Sequence, residues 1–180
     1  MYIARAKRRE NIAEYVLYLW QLEDLLRALD FGADEVWRRL VEPCDVGEAE
    51  RQELFLWYME LANLLKEEGK TASGHLEHTL HIVADLQNLH NRLMSLPAAE
   101  SYRRAYATLA PELPRLRATV GREVTDVELC FRALYGAMLY KMKGEREMAD
   151  DVLRLASPVV AQLADAYRRA ERGELDLFEE

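Results

Sequence analysis

The chain has 180 residues, a net charge of −8 and two cysteines. A chain of this length predicts one domain spanning 1–180 that buries roughly 70% of the surface exposed by its unfolded form. The negative charge disfavours nucleic acid and anionic lipid as partners, and the apolar windows fall far short of the ~20 residues that span a bilayer. Cys44 and Cys130 have neither metal-ligand nor redox spacing, which predicts a reducing, cytoplasmic location.

Apolar residues recur at helical spacing almost throughout the chain, and no alternating run indicates a β-strand. The fold class is therefore expected to be all-α, as a single-domain bundle of six or seven helices. Residues 11–29 are apolar on nearly every side, which is typical of a buried central helix. Residues 126–143 are predicted to form the second buried helix, opened by a capping box at Thr125 and Glu128.

Local signals place the remaining helices between these two and after them. Asp34 is expected to cap a short helix that ends near residue 41, and Asp45 a longer one that ends at Glu68. Further helices are predicted over 75–96, 98–110, 111–120 and 145–172, with a frayed acidic tail from about 173. Within the second buried helix, Gly136 is expected to allow close approach of the first, because glycine otherwise weakens a helix by ~1 kcal/mol.

The four histidines fall in the predicted fourth helix and divide into two pairs. His78 and His81 share its polar edge with Asp85, a spacing that could offer two imidazoles and a carboxylate to one divalent metal. A solvated face is the commoner outcome for such a group, and no cofactor is expected. The metal site is the alternative to that expectation.

His75 and His90 fall on the apolar side of the same predicted helix. Their spacing along the axis, ~22 Å, prevents them from sharing a ligand. Each is predicted to be a core histidine that bonds to a neighbouring helix, with Glu14 or a tyrosine as partner. A carboxylate partner would favour the imidazolium, whereas a core this apolar favours the neutral ring, and we expect burial to dominate.

A small ligand pocket is a second hypothesis for the helical core. Its candidate residues are Tyr18, Trp57, His75, His90, Arg132 and Tyr135. The carboxylates expected to be partly enclosed, where they could meet Arg132 or a tyrosine hydroxyl, are Glu10, Glu14, Glu23 and Asp24. An internal ion pair or hydrogen-bond network is the more common use of such groups.

The predicted function class depends on the absence of known catalytic and cofactor-binding motifs from the sequence. The chain has no Glu-x-x-His pair, nucleotide-binding loop, nucleophile elbow or zinc-finger spacing. Leu56 and Met59 lie on an otherwise polar helix side and favour contact with another element, a protein partner or a second copy of the chain in a homodimer. The preferred reading is a non-enzymatic binding or protein-interaction module, and the alternative is a metal-assisted enzyme that uses the histidine-bearing helix.

Several sequence blocks carry a family resemblance. They are Ile3-Ala4 and Lys7-Arg8 with Glu10-Asn11-Ile12-Ala13-Glu14-Tyr15, Gly74-His75-Leu76, Asp85-Leu86 with Leu89-His90, and Cys130-Phe131 with Ala133-Leu134-Tyr135-Gly136. Together they resemble an uncharacterised bacterial family of all-helical cytoplasmic proteins known only as a domain of unknown function. The resemblance implies an all-α fold and supplies no activity, substrate or catalytic residue.

Overall fold

A computed structural model describes residues 2–120 and 123–175, and over these residues the chain is helical with no β-strand. Eight helical segments follow one another. They are α1 Tyr2–Glu10, α2 Ile12–Ala28, α3 Ala33–Val36 with a π-helical turn Trp37–Val41, α4 Glu48–Glu67, α5 Glu77–Ser95, α6 over 97–120, α7 Asp126–Met142 and α8 Arg146–Glu171. Short 3₁₀ turns at Pro97–Ala99 and Ala110–Glu112 begin and interrupt α6 around its two α-helical parts, Glu100–Leu109 and Leu113–Val120.

The predicted count of six or seven helices is wrong because Asn11 divides the N-terminal region into two helices. Its backbone is extended, with φ −152° and ψ 101°, and its side chain accepts hydrogen bonds from the N–H groups of Ala13 and Glu14. These contacts make Asn11 the N-cap of α2. The residues before it form α1, which carries Arg5, Lys7, Arg8 and Arg9 and whose Ala4 is buried in the core.

Two other predicted helix starts move toward the C-terminus. The N-cap of α4 is Gly47 rather than Asp45, and its N–H donates to the Glu50 carboxylate at 3.3 Å. The helix α5 begins at Glu77, so His75 lies in the segment before it instead of on its apolar face. Gly74 has φ +89°, a left-handed conformation that glycine adopts without strain, and it redirects the chain just before His75.

The core is centred on α2 and α7, the two helices that the apolar pattern singles out. Nine of the 17 residues of α2 are buried, and eight of the 17 residues of α7. Trp20 and Phe131 are the largest side chains that are fully buried, and their rings meet edge to face at 6.1 Å. Aromatic packing between α2 and α7 therefore forms the centre of the hydrophobic cluster.

The start of α7 confirms part of the predicted capping box. The Thr125 hydroxyl accepts the N–H of Glu128 at 3.2 Å, as an N-cap does. The Glu128 carboxylate bonds to Arg132 one turn later instead of returning to the cap. The predicted acidic tail lies mostly outside the described residues, and Leu175 near its start packs against the core.

Candidate functional site

The six candidate pocket residues lie in several separate parts of the molecule. Among them, only His75 and Tyr135 are in ring contact, with perpendicular rings and centroids 6.0 Å apart. Trp57 contacts Tyr58, whose hydroxyl is bonded to that of Tyr18. The two remaining candidates, His90 and Arg132, bond to Tyr102 and Glu128 respectively.

His75 belongs to a buried polar cluster that sequence analysis assembled only in part. Its Nδ1 lies 2.7 Å from Oε2 of Glu23, and the second oxygen of this carboxylate accepts the N–H of Leu76 at 3.2 Å. The Glu23 side chain is only 1% exposed. The imidazole ring stacks on Trp20 with centroids 3.8 Å apart and an interplanar angle of 9°. We refer to Trp20, Glu23, His75, Thr79 and Tyr135 as the His75 cluster.

Trp20, Thr79 and Tyr135 of the His75 cluster are also hydrogen-bonded within the protein. The indole N–H of Trp20 donates to the Thr79 hydroxyl at 3.0 Å, which in turn donates to the Leu76 carbonyl at 2.8 Å. The Tyr135 hydroxyl donates to the Asp24 carboxylate and to the Trp20 carbonyl. Burial, reinforced by the Asp24 carboxylate, raises the pKa of Tyr135, so the phenol stays protonated and remains a donor.

Arg27 attaches the segment before α5 to α2. Its guanidinium donates to the carbonyls of Lys70 and Gly74, and it also bonds to Asp24 at 2.7 Å. These contacts, with the bonds of Glu23, hold His75 over Trp20 although His75 is outside any helix. The predicted partner of the histidines, Glu14, is exposed and pairs with Lys7.

The signal that could have identified Glu23 is its position in α2. Residues three or four positions away share its side of the helix, and at those positions lie Leu19, Trp20 and Leu26. A lone carboxylate among such neighbours must be buried and therefore bonded. Of the four carboxylates expected to be enclosed, Glu23 is buried and Asp24 is partly exposed, whereas Glu10 and Glu14 are exposed, because they face outward near the α1–α2 junction.

The prediction for His90 is confirmed. Its ring is 5% exposed, and Nδ1 lies 2.6 Å from the hydroxyl of Tyr102 on α6. The Tyr106 ring lies 4.7 Å away between centroids. Burial lowers the pKa of His90, and the negative charge of Asp126 opposes this shift only in part. The neutral ring is therefore favoured, as expected of a core histidine.

The histidines proposed as metal ligands lie near the start of α5. His78 is partly buried, whereas His81 and Asp85 are exposed. Burial lowers the pKa of His78 against the opposing charges of Glu23 and Glu68. Within residues 2–120 and 123–175, no group of three or more His, Cys, Asp or Glu side chains is arranged to hold a metal ion. The expectation of no cofactor stays a prediction, with the divalent metal as its alternative.

A groove of about 360 Å³ opens between the second part of α6, α7 and the start of α8. Its apolar lining consists of Leu116, Val120, Ala133, Gly136, Ala137 and Val152. Its polar lining consists of Arg115, Thr119, Arg132, Tyr140, Glu147 and Asp151. We refer to this feature as the groove.

Gly136 lines the groove instead of a helix contact, so the predicted close approach of the first helix is wrong. A Cβ atom placed on it would have no described atom of another helix within 4 Å. The reason is that α7 turns this position toward the gap beside α6 and α8, not toward α2. The glycine therefore adds open space to the groove.

Both arginines of the groove are oriented by a carboxylate from the preceding turn of the same helix. Arg132 places Nε at 2.8 Å and Nη2 at 2.7 Å from Oε1 of Glu128. Arg115 places Nε at 2.8 Å from Oε2 of Glu112. A guanidinium has five N–H donors, so each arginine retains donors beyond its ion pair.

The opposite side of the groove is acidic. Glu147 lies in the first turn of α8, where the positive end of the helix dipole stabilises a carboxylate. Asp151, one turn later, pairs with Arg154 at 3.3 Å. The groove thus combines an apolar floor with charges of both signs.

The two apolar residues predicted to contact a partner differ in their surroundings. Leu56 is 59% exposed on α4, whereas Met59 packs against the core. A homodimer contact there stays a prediction. None of the described helices combines the length and apolarity needed to cross a membrane.

Comparison with known proteins yields one match. The family model described as "Domain of unknown function (DUF4924)" matches residues 1–174, which is nearly the whole chain. No curated protein and no solved structure matches the sequence.

Proposed function

We propose that this chain, which belongs to the family just described, is a non-enzymatic binding module that holds a small organic molecule in the groove. The observation that carries the proposal is the groove itself, a concave site with an apolar floor and a charged rim. Small-molecule sites are concave, mostly apolar and fitted with a few polar groups, and their volumes run from ~300 to ~1,000 Å³. At about 360 Å³, the groove suits a compact ligand.

Gly136 supports the same proposal. A glycine in the middle of a helix costs ~1 kcal/mol relative to alanine, and here no close helix contact offsets that cost. Its effect on the surface is to leave room at the floor of the groove, between Ala133 and Ala137. A binding site accounts for this position better than packing does.

The His75 cluster supports a structural role more than a catalytic one. The Glu23 carboxylate bonds to His75 and to the N–H of Leu76, and the Trp20 and Tyr135 donors are bonded as well. A pair of this kind could orient an imidazole for acid–base chemistry. However, none of its residues lines the groove where a ligand would sit.

A fluorescence titration with N-phenyl-1-naphthylamine, a neutral apolar dye, tests the proposal. The dye should brighten on saturable binding to the wild-type protein. Gly136→Leu should weaken this binding roughly tenfold, because the added side chain occupies the floor of the groove. The expected loss of dye binding depends on the volume of the added side chain, because neither the dye nor leucine carries a charge.

Ala84→Leu is the matched control, since Ala84 is an exposed helical residue of α5 outside the groove. This variant should bind the dye as the wild type does, and thermal unfolding should show that both variants are folded. No saturable binding by the wild type, or equal binding by wild type and Gly136→Leu, would refute the proposal.

A further inference from the structure

We infer that the ligand of the groove is an organic anion, a carboxylate or similar oxyanion on a compact apolar body, bound by Arg115 and Arg132. This inference rests on the proposed function of the groove. Both arginines line the groove, and they come from different helices, α6 and α7. They lie together at one concave surface of a chain whose net charge is −8.

The hydrogen bonds of the two arginines leave the ends of their guanidinium groups available. Arg115 bonds to Glu112 through Nε, and Arg132 bonds to Glu128 through Nε and Nη2. Within the described part of the chain, neither arginine has a second carboxylate partner. The planar guanidinium fork binds carboxylate and phosphate oxygens with two parallel N–H donors. Each arginine is thus oriented by one carboxylate and retains donors for another.

The two pairs differ in burial, since the Arg115 side chain is 61% exposed and that of Glu112 is 38% exposed. The side chain of Arg132 is 38% exposed and that of Glu128 is 22% exposed, so this ion pair lies partly inside the wall of the groove. A partly buried pair is held more rigidly and screened less by salt than a surface pair. Arg132 therefore presents donors in a defined direction, which is what recognition of an anion requires.

The carboxylates on the acidic side of the groove are stabilised within α8, as the arginines are by Glu112 and Glu128. Glu147 lies in the first turn of α8, where any helix favours a carboxylate, and Asp151 is paired with Arg154. A cationic ligand would have to enter beside two guanidinium groups. An anion at the arginine side, with its apolar body on the floor, satisfies both the charge and the shape of the groove.

Displacement of N-phenyl-1-naphthylamine by octanoate, octylamine and octanol tests the inference. The three probes each have eight carbon atoms, one of which belongs to the carboxylate in octanoate, and their head groups are anionic, cationic and neutral. Octanoate should displace the dye at a roughly tenfold lower concentration than octanol, as expected for hydrogen bonds to a charged group. Added salt should weaken the binding of octanoate and leave the binding of octanol unchanged.

Arginine variants assign the effect to the two side chains. In the double variant Arg115→Gln and Arg132→Gln, octanoate and octanol should displace the dye at about equal concentrations, each measured against the dye affinity of that variant. Arg132→Lys, which keeps the charge but loses the fork, should give an intermediate preference. Arg104→Gln is the matched control, because Arg104 also lies on α6 and pairs with a carboxylate of the preceding turn, Glu100, but is absent from the groove.

The outcomes separate this inference from the proposed function. If the dye binds but octanoate and octanol displace it equally, the inference that the ligand is an anion is overturned. Stronger displacement by octylamine would overturn it as well. In both cases the groove remains a binding site. A preference for octanoate that survives in the double variant would also overturn the inference. Failure of the dye to bind at all would remove the proposed function and this inference together.

Discussion

The His75 cluster and the groove use charged side chains in opposite ways. In the cluster, Glu23 is 1% exposed and both of its oxygens are bonded within the protein. In the groove, Arg132 is 38% exposed and retains donors beyond its ion pair. A charged group that is removed from water needs hydrogen-bond partners inside the protein, so the His75 cluster has a structural role. Partly exposed donors at a concave surface are instead available to a ligand.

The largest expected effect comes from removing the centre of the His75 cluster. Trp20→Ala should destabilise the protein by about 4 kcal/mol, because it leaves a cavity and removes the N–H that the Thr79 hydroxyl accepts. Urea unfolding measures this loss. Trp57→Ala is the control: Trp57 is only partly buried on α4, and its loss should cost less. Equal losses at both positions would mean that the cluster is not the centre of the fold.

The second effect tests whether Glu23 is a structural carboxylate. Glu23→Ala should destabilise the protein by about 2 kcal/mol, because His75 and the N–H of Leu76 lose their acceptor. Glu14→Ala removes an exposed carboxylate of the same helix and should change the free energy of unfolding by at most about 0.5 kcal/mol. Folded Glu23→Ala protein should still bind the dye, and loss of binding without unfolding would connect the cluster to the groove.

A pH effect of smaller size should come from His90. Because burial lowers its pKa in the folded state, the unfolded chain takes up the proton first as the pH falls. The stabilising contribution is therefore complete above the ordinary value of about 6.5 and declines as the pH drops below it.

Urea unfolding at pH 8 and pH 5.5 measures this decline. His90→Gln, which can still bond to the Tyr102 hydroxyl, should lose less stability between these two pH values than the wild type does. His78, whose pKa is lowered by burial in the same direction, remains in both proteins and so cancels in the comparison. An identical loss in wild type and variant would contradict the assignment to His90.

The smallest effect lies at the groove and has the opposite sign. Gly136→Ala should stabilise the protein by about 0.5–1 kcal/mol, because alanine favours the helix and its Cβ meets no described atom of another helix. Gly144→Ala should instead destabilise it, since Gly144 has φ +87°. Thermal unfolding compares the two variants. Destabilisation by Gly136→Ala would restore the close contact that the sequence pattern predicts and would close the groove.

The helical class, the two central helices and most helix ends could be predicted from the sequence. These features depend on residues close together in the chain. Apolar spacing defines the buried face of α2, and the Thr125 hydroxyl bonds to an N–H only three residues away. The error at Gly47 arose because Asp45 is a second capping residue nearby, and the error at Asn11 arose because the helix before this cap was not predicted.

The residues that contact each other across the bundle are determined only by the tertiary structure. His75 and Glu23 are 52 positions apart, and Tyr135 and Asp24 are 111 apart. Helical periodicity indicates that a residue faces inward, but not which neighbour it meets, because that depends on the order and crossing of distant helices. For the same reason the sequence did not show that Gly136 lines a groove and does not pack against another helix. The sequence alone determined the fold class and the buried faces, while packing between distant helices determined the cluster and the groove.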